Sequence, residues 1–406
     1  MKNFRIIVAI VSAVIMLFAF SSCEFIAEGN NGSSQNTESG SGYNTTDSTF
    51  YEKIDVSDKI NINVVNPTQS ETRTLADVLD DIRPSVVEIY GTTSTGTAAG
   101  SGVIVDIQDS DGNGKNDIAY VITCHHVIAG TSGTYVKTLD GVKFAASLIG
   151  SDPKSDIGLI AVKGTDGDFD TLSAASWYQD SENLRYGMEV VAIGNPLGIL
   201  GGTVTRGIIS GIGREVTIEG KTMTLLQTDA AINSGNSGGG LFDADTGALI
   251  GIVNAGYAAY AADGLNFAIP SNVAREKESQ LFATYSAGNT FGYIQGDYNF
   301  GAEFQIVQSG SPWSGYTYYV YIYSLDQYGT FAKSGLAVGD IIYSVTIGDE
   351  TISLTSVSNQ SITNLKAFLE NRKIGDEVTV SYGRQAGNGI TKSEAKFTIK
   401  QYVYGN

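Results

Sequence analysis

Asn233-Ser-Gly-Asn-Ser-Gly-Gly-Gly-Leu241 is the stretch whose reading decides the fold. It sets the hydroxyl of Ser237 among four glycines, Gly235, Gly238, Gly239 and Gly240. Glycine adopts backbone angles closed to other residues and lets another backbone approach. A serine on such a turn, with amide N–H groups aimed nearby, suits an attacking hydroxyl beside an oxyanion hole. A flexible Ser/Gly loop has the same composition. The choice between them rests on whether a histidine and a carboxylate stand upstream in supporting contexts.

The chain has two histidines, adjacent at His125 and His126. They close a predicted strand, Tyr120-Val-Ile-Thr-Cys-His-His-Val127, whose alternating faces let only one of the pair point into a given site. Further on, in Ser155-Asp156-Ile-Gly-Leu-Ile-Ala-Val162, an acid opens an apolar run that reads as a buried strand. A carboxylate there needs a partner, because an unpaired buried charge is costly. Cys124 is the rival nucleophile, and the expectation for it is an unreactive buried thiol turned away from His126.

Composition supports a β-rich reading. Of 406 residues 42% are hydrophobic, enough for two or more domains, and only 17% are charged, with 49 glycines and 22 tyrosines. A formal net charge of −18 argues against a nucleic-acid partner. Two cysteines, Cys23 and Cys124, make no disulfide framework.

At the N-terminus Lys2 and Arg5 precede an apolar run, Ile6 to Phe20, followed by Ser21-Ser22-Cys23. This is the pattern of an export signal, and it is shorter than the ~20 residues of a membrane-spanning helix. Phe20-Ser-Ser-Cys23 resembles a bacterial lipobox, with Phe20 where leucine is usual. The resemblance implies that Cys23 is lipidated, becomes the first residue of the mature protein and anchors it to a membrane, facing away from the cytoplasm. Residues 24–73, polar and glycine-rich, read as a flexible tether behind a signal at 1–23.

From residue 74 the text turns globular. Thr74 caps a predicted helix, Leu75 to Ile82, which Pro84 ends. Short apolar runs separated by turn residues follow, at Val86–Tyr90, Gly102–Val105, Tyr120–Thr123, Tyr135–Thr138, Ile157–Val162, Val190–Ile193, Thr203–Ser210, Leu225–Thr228, Leu249–Val253 and Asn266–Ile269. Such runs without intervening helices predict an antiparallel sandwich or barrel. A helix capped by Ser271 is expected to run to about Tyr285.

His, Asp and Ser, in that order on strand–loop junctions, stand as in chymotrypsin-like proteases. Thr123-Cys-His-His-Val127 resembles the T-x-x-H-V box of that family, which selects His126. Asp156-Ile-Gly-Leu-Ile160 and Gly235-Asn-Ser-Gly-Gly239 match the aspartate strand and serine box. Ala192-Ile-Gly-Asn-Pro-Leu-Gly198, Thr203-Val-Thr-Arg-Gly-Ile-Ile-Ser210, Gln227-Thr-Asp-Ala-Ala-Ile-Asn233 and Gly264-Leu-Asn-Phe-Ala-Ile-Pro270 resemble segments of the HtrA (Deg) proteases. The departures are Ser234, Gly240, Gly158 and His125, where proline or arginine, alanine or proline, alanine, and asparagine are usual.

The resemblance implies a mainly β, chymotrypsin-like double β-barrel over residues 74–288, with His126 as base, Asp156 as its orienting acid and Ser237 as nucleophile. It implies an oxyanion hole from the N–H groups of Gly235 and Ser237. It puts the S1 floor at Ala231, beside Ile232, favouring small or medium aliphatic P1 residues, with Asp229 nearby. The family's members cut misfolded or unfolded proteins as homotrimers without a cofactor. The alternative is a chaperone-like or peptide-binding protein whose protease site is not assembled at rest.

The loop Asp109-Ser-Asp-Gly-Asn-Gly-Lys-Asn-Asp117 resembles part of an EF-hand loop, but Tyr120 holds the place of the bidentate glutamate. A hairpin turn without metal is the preferred reading. Over residues 289–404, Phe331-Ala-Lys-Ser-Gly-Leu-Ala-Val-Gly-Asp-Ile-Ile342 resembles the bacterial PDZ domains that follow HtrA proteases, an α+β fold that binds peptide C-termini. Strands are expected at Tyr318–Tyr323, Glu377–Tyr382 and Lys396–Tyr402, and a helix at Thr363–Asn371. The carboxylate-binding loop aligns with Phe291, Gly292, Tyr293 and Ile294.

Overall fold

A computed structural model describes residues 50, 53–56, 59–65, 73–94, 96–195, 202–218, 221–233, 235–254, 264–311, 315–358, 360–370, 372–387 and 389–405. The expected export signal and Cys23 lie outside the described residues. The chain divides into two units, Met1–Gly292 and Tyr293–Asn406.

The first unit is built from apolar runs too short to bury themselves except by closing on one another. β2 (Val86–Thr92), β3 (Thr97–Gln108), β4 (Ile118–Cys124), β5 (Gly133–Lys137), β6 (Lys143–Asp152) and β7 (Ile157–Lys163) form a closed barrel in the order β2-β3-β4-β7-β6-β5. All seven residues of β4 are buried, because both of its faces are covered. A second barrel takes β9 (Glu189–Gly194), β10 (Thr203–Ile218), β11 (Lys221–Thr228), β12 (Gly240–Asp243), β13 (Leu249–Asn254) and β14 (Asn266–Pro270). Its strands run β13-β12-β9-β10-β11-β14, and the β13–β14 pairing closes the ring. Val190, Ile209, Leu226, Leu241, Ile250 and Val253 fill it.

Two of these strands were not anticipated. β12 opens directly on the glycine turn and has four residues, all buried, so no alternation shows. β6 alternates through Ala and Ser, weak markers, and carries a register shift between Leu148 and Gly150. The expected helix at Leu75–Ile82, α1, holds to the residue, with Thr74 and Asp77 forming a reciprocal capping box. Strand β4 ends at Cys124, where a short helical turn, α2 (His125–Ile128), begins. The closing helix α3 spans Ser271–Ser286, but Pro270 is its N-cap and Ser271 is its first helical residue. The Ser271 hydroxyl is buried and makes no hydrogen bond, so it caps nothing.

The end of the expected tether is not free. Phe50 is fully buried. The Tyr285 hydroxyl accepts from Ile54 N–H and donates to Ile54 O, both at 3.0 Å. Asn61 N–H donates to Asp106 Oδ2 at 2.8 Å. β1 (Val64–Val65) pairs in parallel with β8 (Trp177–Tyr178), which itself adds to β13. These partners come from residues far along the chain, so local composition gives no sign of them.

The second unit carries β15 (Ala302–Ser311), β16 (Gly315–Leu325), β17 (Ile341–Ile347), β18 (Glu350–Ser353), β19 (Glu377–Ala386) and β20 (Gly389–Thr398), with helices α4 (Thr330–Lys333) and α5 (Ser361–Leu369). The sheet runs β15-β16-β17-β19-β20, with β18 beside β17. Phe300, Phe331, Val320, Ile342 and Leu365 form its core. The expected helix Thr363–Asn371 begins earlier, at Ser361, and ends at Leu369.

Candidate active site

Asp156 is the residue on which the site is built. It precedes β7 with φ 56°, in the left-handed region that aspartate tolerates better than most residues. This turn puts both its carbonyl and its carboxylate on the start of α2. The carbonyl accepts from His125 N–H at 2.9 Å. Oδ1 accepts from His126 N–H at 3.0 Å, and Oδ2 lies 2.7 Å from His126 Nδ1. Asn254 Nδ2 donates to the same Oδ2 at 2.8 Å. Burial by itself would push the pKa up; the His126 ring and its hydrogen bonds outweigh burial and hold the carboxyl at about 2. An ionised Asp156 can only accept, so Nδ1 carries the His126 proton and Nε2 is left with its lone pair.

The two histidines diverge. His126 is partly open, with 35% of its side chain exposed. His125 is buried, and its Nδ1 sits 2.7 Å from Ser151 Oγ. Ser151 donates its own proton to Ile157 O at 3.2 Å, so Nδ1–H of His125 is the donor in that contact. Burial, with a further contribution from Lys221, lowers the His125 pKa to about 3.

Cys124 corrects the expectation of a thiol turned away. Its Sγ and the ligand atoms of His126 and Asp156 all lie within 4.8 Å of one another. The strand ends at Cys124 and the chain turns into α2 there, so strand alternation does not carry on to His126, and Cys124 looks toward the pair rather than past it. It is nevertheless a poor nucleophile or metal ligand: the S–H donates to Val253 O at 3.3 Å, and burial pushes its pKa well up.

Ser237 is 5% exposed, on a turn several of whose backbone groups are gripped. Asn236 N–H donates to Asn233 O at 3.0 Å, and Gly235, third in that turn, has φ 97°, the sign a type II turn requires. Ser101 N–H donates to Ser237 O at 2.8 Å, and Ser101 Oγ to Gly235 O at 2.7 Å. Gly238 N–H donates to Val253 O at 2.9 Å; a Cβ on Gly238 would meet Ser101 O and Thr123 Oγ1 at 2.2 Å. Val253 thus holds the serine turn while its neighbour Asn254 holds Asp156, and the end of β13 touches both.

Residues 100–252 match the profile of the trypsin-like peptidase domain. The chain is 31% identical over 361 residues to the serine protease Do-like HtrA of Bacillus subtilis, covering 78% of this chain and 71% of that protein. The chain belongs to the HtrA family of serine proteases. The periplasmic serine endoprotease DegP of Escherichia coli is 43% identical over 185 residues, which is 45% of this chain and 36% of DegP. Among solved structures, the HtrA-type protease AlgW with tripeptide is 29% identical, with a TM-score of 0.46 over 81% of this chain and 97% of that one.

Other expected site residues of this HtrA-family chain are placed as follows. Ala231 is exposed, and its carbonyl accepts from Thr205 Oγ1 at 2.9 Å. Ile232 is 7% exposed and packs into the second barrel's core. Asp229 Oδ1 accepts from Ile208 N–H at 2.7 Å, which directs that carboxylate to β10. In the acidic loop, Asp109 Oδ1 accepts from Gly112 N–H at 2.7 Å and Oδ2 from Gly114 N–H at 2.6 Å, while Asp117 Oδ1 accepts from Ser110 N–H at 2.7 Å. The carboxylates close the hairpin between β3 and β4 themselves.

In the stretch Phe291–Ile294, expected as a carboxylate-binding loop, the Gly292 amide is engaged within the first unit. Phe291 and Gly292 fall in the first unit, and Gly292 N–H donates to Ile149 O at 2.6 Å. A Cβ on Gly292 would lie 2.0 Å from Leu281 O, so the glycine serves close packing. Ile294 is buried. An N–H already paired in a bridge to β6 is not available to a peptide carboxylate.

Ser101, Asn195 and Asn254 are the site residues that sequence reading missed. Asn195 sits inside a quoted family motif, which gave a signal; Ser101 and Asn254 stand in runs of small or apolar residues that give none.

Proposed function

We propose that this protein is an exported serine endopeptidase that cleaves unfolded or misfolded proteins through an acyl-enzyme. The observation that carries this reading is the His126–Asp156 pair, whose tautomer leaves Nε2 as an acceptor, with the end of β13 bonded both to Asp156, through Asn254, and to the Ser237 turn, through Val253. His126 takes the Ser237 proton as Oγ attacks the scissile carbonyl and returns it to the leaving amine; Asp156 stabilises the imidazolium between those steps. The N–H groups of Gly235 and Ser237 receive the oxyanion. No cofactor takes part. Ala231, with Ile232 behind it and Asp229 engaged by β10, fits a small or medium aliphatic P1 side chain.

In the same reading the second unit is a PDZ domain. β15 stands at the sheet edge, where an extended peptide C-terminus adds a strand. Cys23 carries the lipid that holds the protein at the outer face of a membrane, and the working assembly is a homotrimer. Degradation of unfolded casein tests the core of the proposal. Wild type releases acid-soluble peptides and Ser237→Ala loses activity by about a thousand-fold or more. Equal, negligible turnover by both, with aggregation of the casein suppressed, would instead establish a chaperone-like protein.

A further inference from the structure

The first barrel contains a buried polar chain that the triad does not use. Glu88 on β2 pairs across the sheet with Lys137 on β5 and with Ser101 on β3. Glu88 is 9% exposed, and its Oε1 accepts from Lys137 Nζ at 3.1 Å. Oε2 accepts from the Tyr90 hydroxyl and from Asn195 Nδ2, the latter at 2.9 Å. Asn195 Nδ2 also reaches the Tyr90 hydroxyl at 3.0 Å. Asn195 is fully buried just beyond β9, and its N–H donates to Ser101 Oγ at 2.8 Å. Ser101, also fully buried, passes its hydroxyl proton to Gly235 O at 2.7 Å.

We infer that Glu88, Asn195 and Ser101 are positioning residues for the oxyanion side of the nucleophile turn, an inference that rests on Ser237 being the nucleophile. The peptide unit between Gly235 and Asn236 is clamped at both ends, its carbonyl by Ser101 Oγ and its N–H by Asn233 O. That plane is joined to the Gly235 N–H only through the two Gly235 torsions, φ standing at 97°, so clamping it restrains the direction of that N–H. Ser101 has only one hydroxyl proton, and a hydroxyl rotor turns to whatever geometry its acceptor role permits. The Asn195 N–H occupies one Ser101 lone pair, on the side away from the proton donated to Gly235 O. Glu88 holds Asn195 in place by a charge-assisted bond. Lys137 is partly exposed and is an end of the chain that reaches solvent, with 33% of its side chain accessible.

Burst titration with an active-site acylating ester, followed by steady-state cleavage of an unfolded protein, tests this in Glu88→Ala, Glu88→Gln, Ser101→Ala and the Glu88→Ala/Ser101→Ala double variant. Ser101→Ala is expected to lower kcat by about 100-fold with KM unchanged, the cost of misplacing a reacting group. Glu88→Ala is expected to lower kcat about ten-fold, with Glu88→Gln between it and wild type. The double variant should lose no more than Ser101→Ala alone, because the two act in series. Affinity for a peptide boronate, which places an anionic oxygen in the hole, should fall in parallel with kcat. Circular dichroism confirms that each variant is folded at the assay temperature. If folded Ser101→Ala and Glu88→Ala keep wild-type kcat while Ser237→Ala is inactive, the positioning chain is refuted and the nucleophile stands. Additive losses, or losses confined to KM, refute it as well. If Ser237→Ala retains turnover, the underlying reading fails instead.

Discussion

At His125 the chain departs from the asparagine that the family resemblance leads one to expect, and the structure gives the imidazole a site of its own, apart from the His126–Asp156 pair. Ser151 accepts its Nδ1–H, and burial keeps it neutral, with a pKa of about 3. Such a group binds its proton more readily unfolded than folded, so its contribution to stability is present above the unfolded value of 6.5 and is lost as pH falls toward 3. His125→Asn should therefore flatten the acid limb of the stability curve, which falls by about 1.4 kcal/mol per pH unit through this residue. Urea midpoints at pH 4 and pH 7 check it, and an unchanged acid slope would show that His125 is not buried neutral. Two other departures are explained by neighbours. A Cβ on Gly158 would meet Ile128 Cδ1 at 2.6 Å, and one on Gly240 would meet the Phe242 ring at 2.2 Å. The Ile128 and Phe242 side chains fill the space that an added methyl group would take.

At the scale of elements, residues 53–56 and 59–65 matter most, because they turn part of a sequence that reads as tether into a strap on the first unit. Its attachments include Ile54 to Tyr285, Lys59 O to Gln108 Nε2 at 2.8 Å, Asn61 to Asp106, Asn63 O to Trp177 N–H at 2.8 Å, and β1 to β8. Lys53 also lies over the Tyr285 ring, 5.0 Å from its centroid. Tyr285→Phe keeps the ring and removes both bonds to Ile54, and should cost about 1 kcal/mol. Hydrogen exchange is the decisive measurement: amides near residue 54 should lose protection while those of β4 do not. Unchanged exchange there would mean that the strap is held by its apolar contacts, Phe50 above all.

For the molecule as a whole, pH tolerance follows from two buried groups of opposite habit. Glu278 on α3 is fully buried, with neither carboxyl oxygen hydrogen-bonded; Trp177 Nε1 lies toward it without completing a bond. Burial first, and then the Asp106 charge, push its pKa up to about 8, against a smaller opposing pull from Trp177 and Arg275. The folded state therefore keeps a proton that the unfolded chain releases above 4.5, and stability falls as pH climbs from there through 8. With His125 acting in the other sense, the two slopes cancel between 4.5 and 6.5, and stability should be broadest there. Glu278→Gln should remove the alkaline decline and raise the thermal midpoint at pH 8.5 by several degrees. A variant no more stable than wild type at that pH would contradict the neutral-carboxyl account.

Both barrels' main strands and the capped helix at Leu75–Ile82 were legible in the sequence, because each is written in local spacing or in a run of contiguous residues. The chain by itself determined that Ser237, His126 and Asp156 stand in family order on a β-rich scaffold. Only the tertiary structure decided which way Cys124 faces, that residues near 54 and 61 dock, that Gly292 is paired to β6, and that Ser101 and Asn254 hold the site. The reason is that these depend on hydrogen bonds between residues tens to hundreds of positions apart, such as Ser101 to Gly235 and Ile54 to Tyr285, 134 and 231 positions distant. Neither periodicity nor composition in any one window carries a trace of a partner that the fold alone brings near.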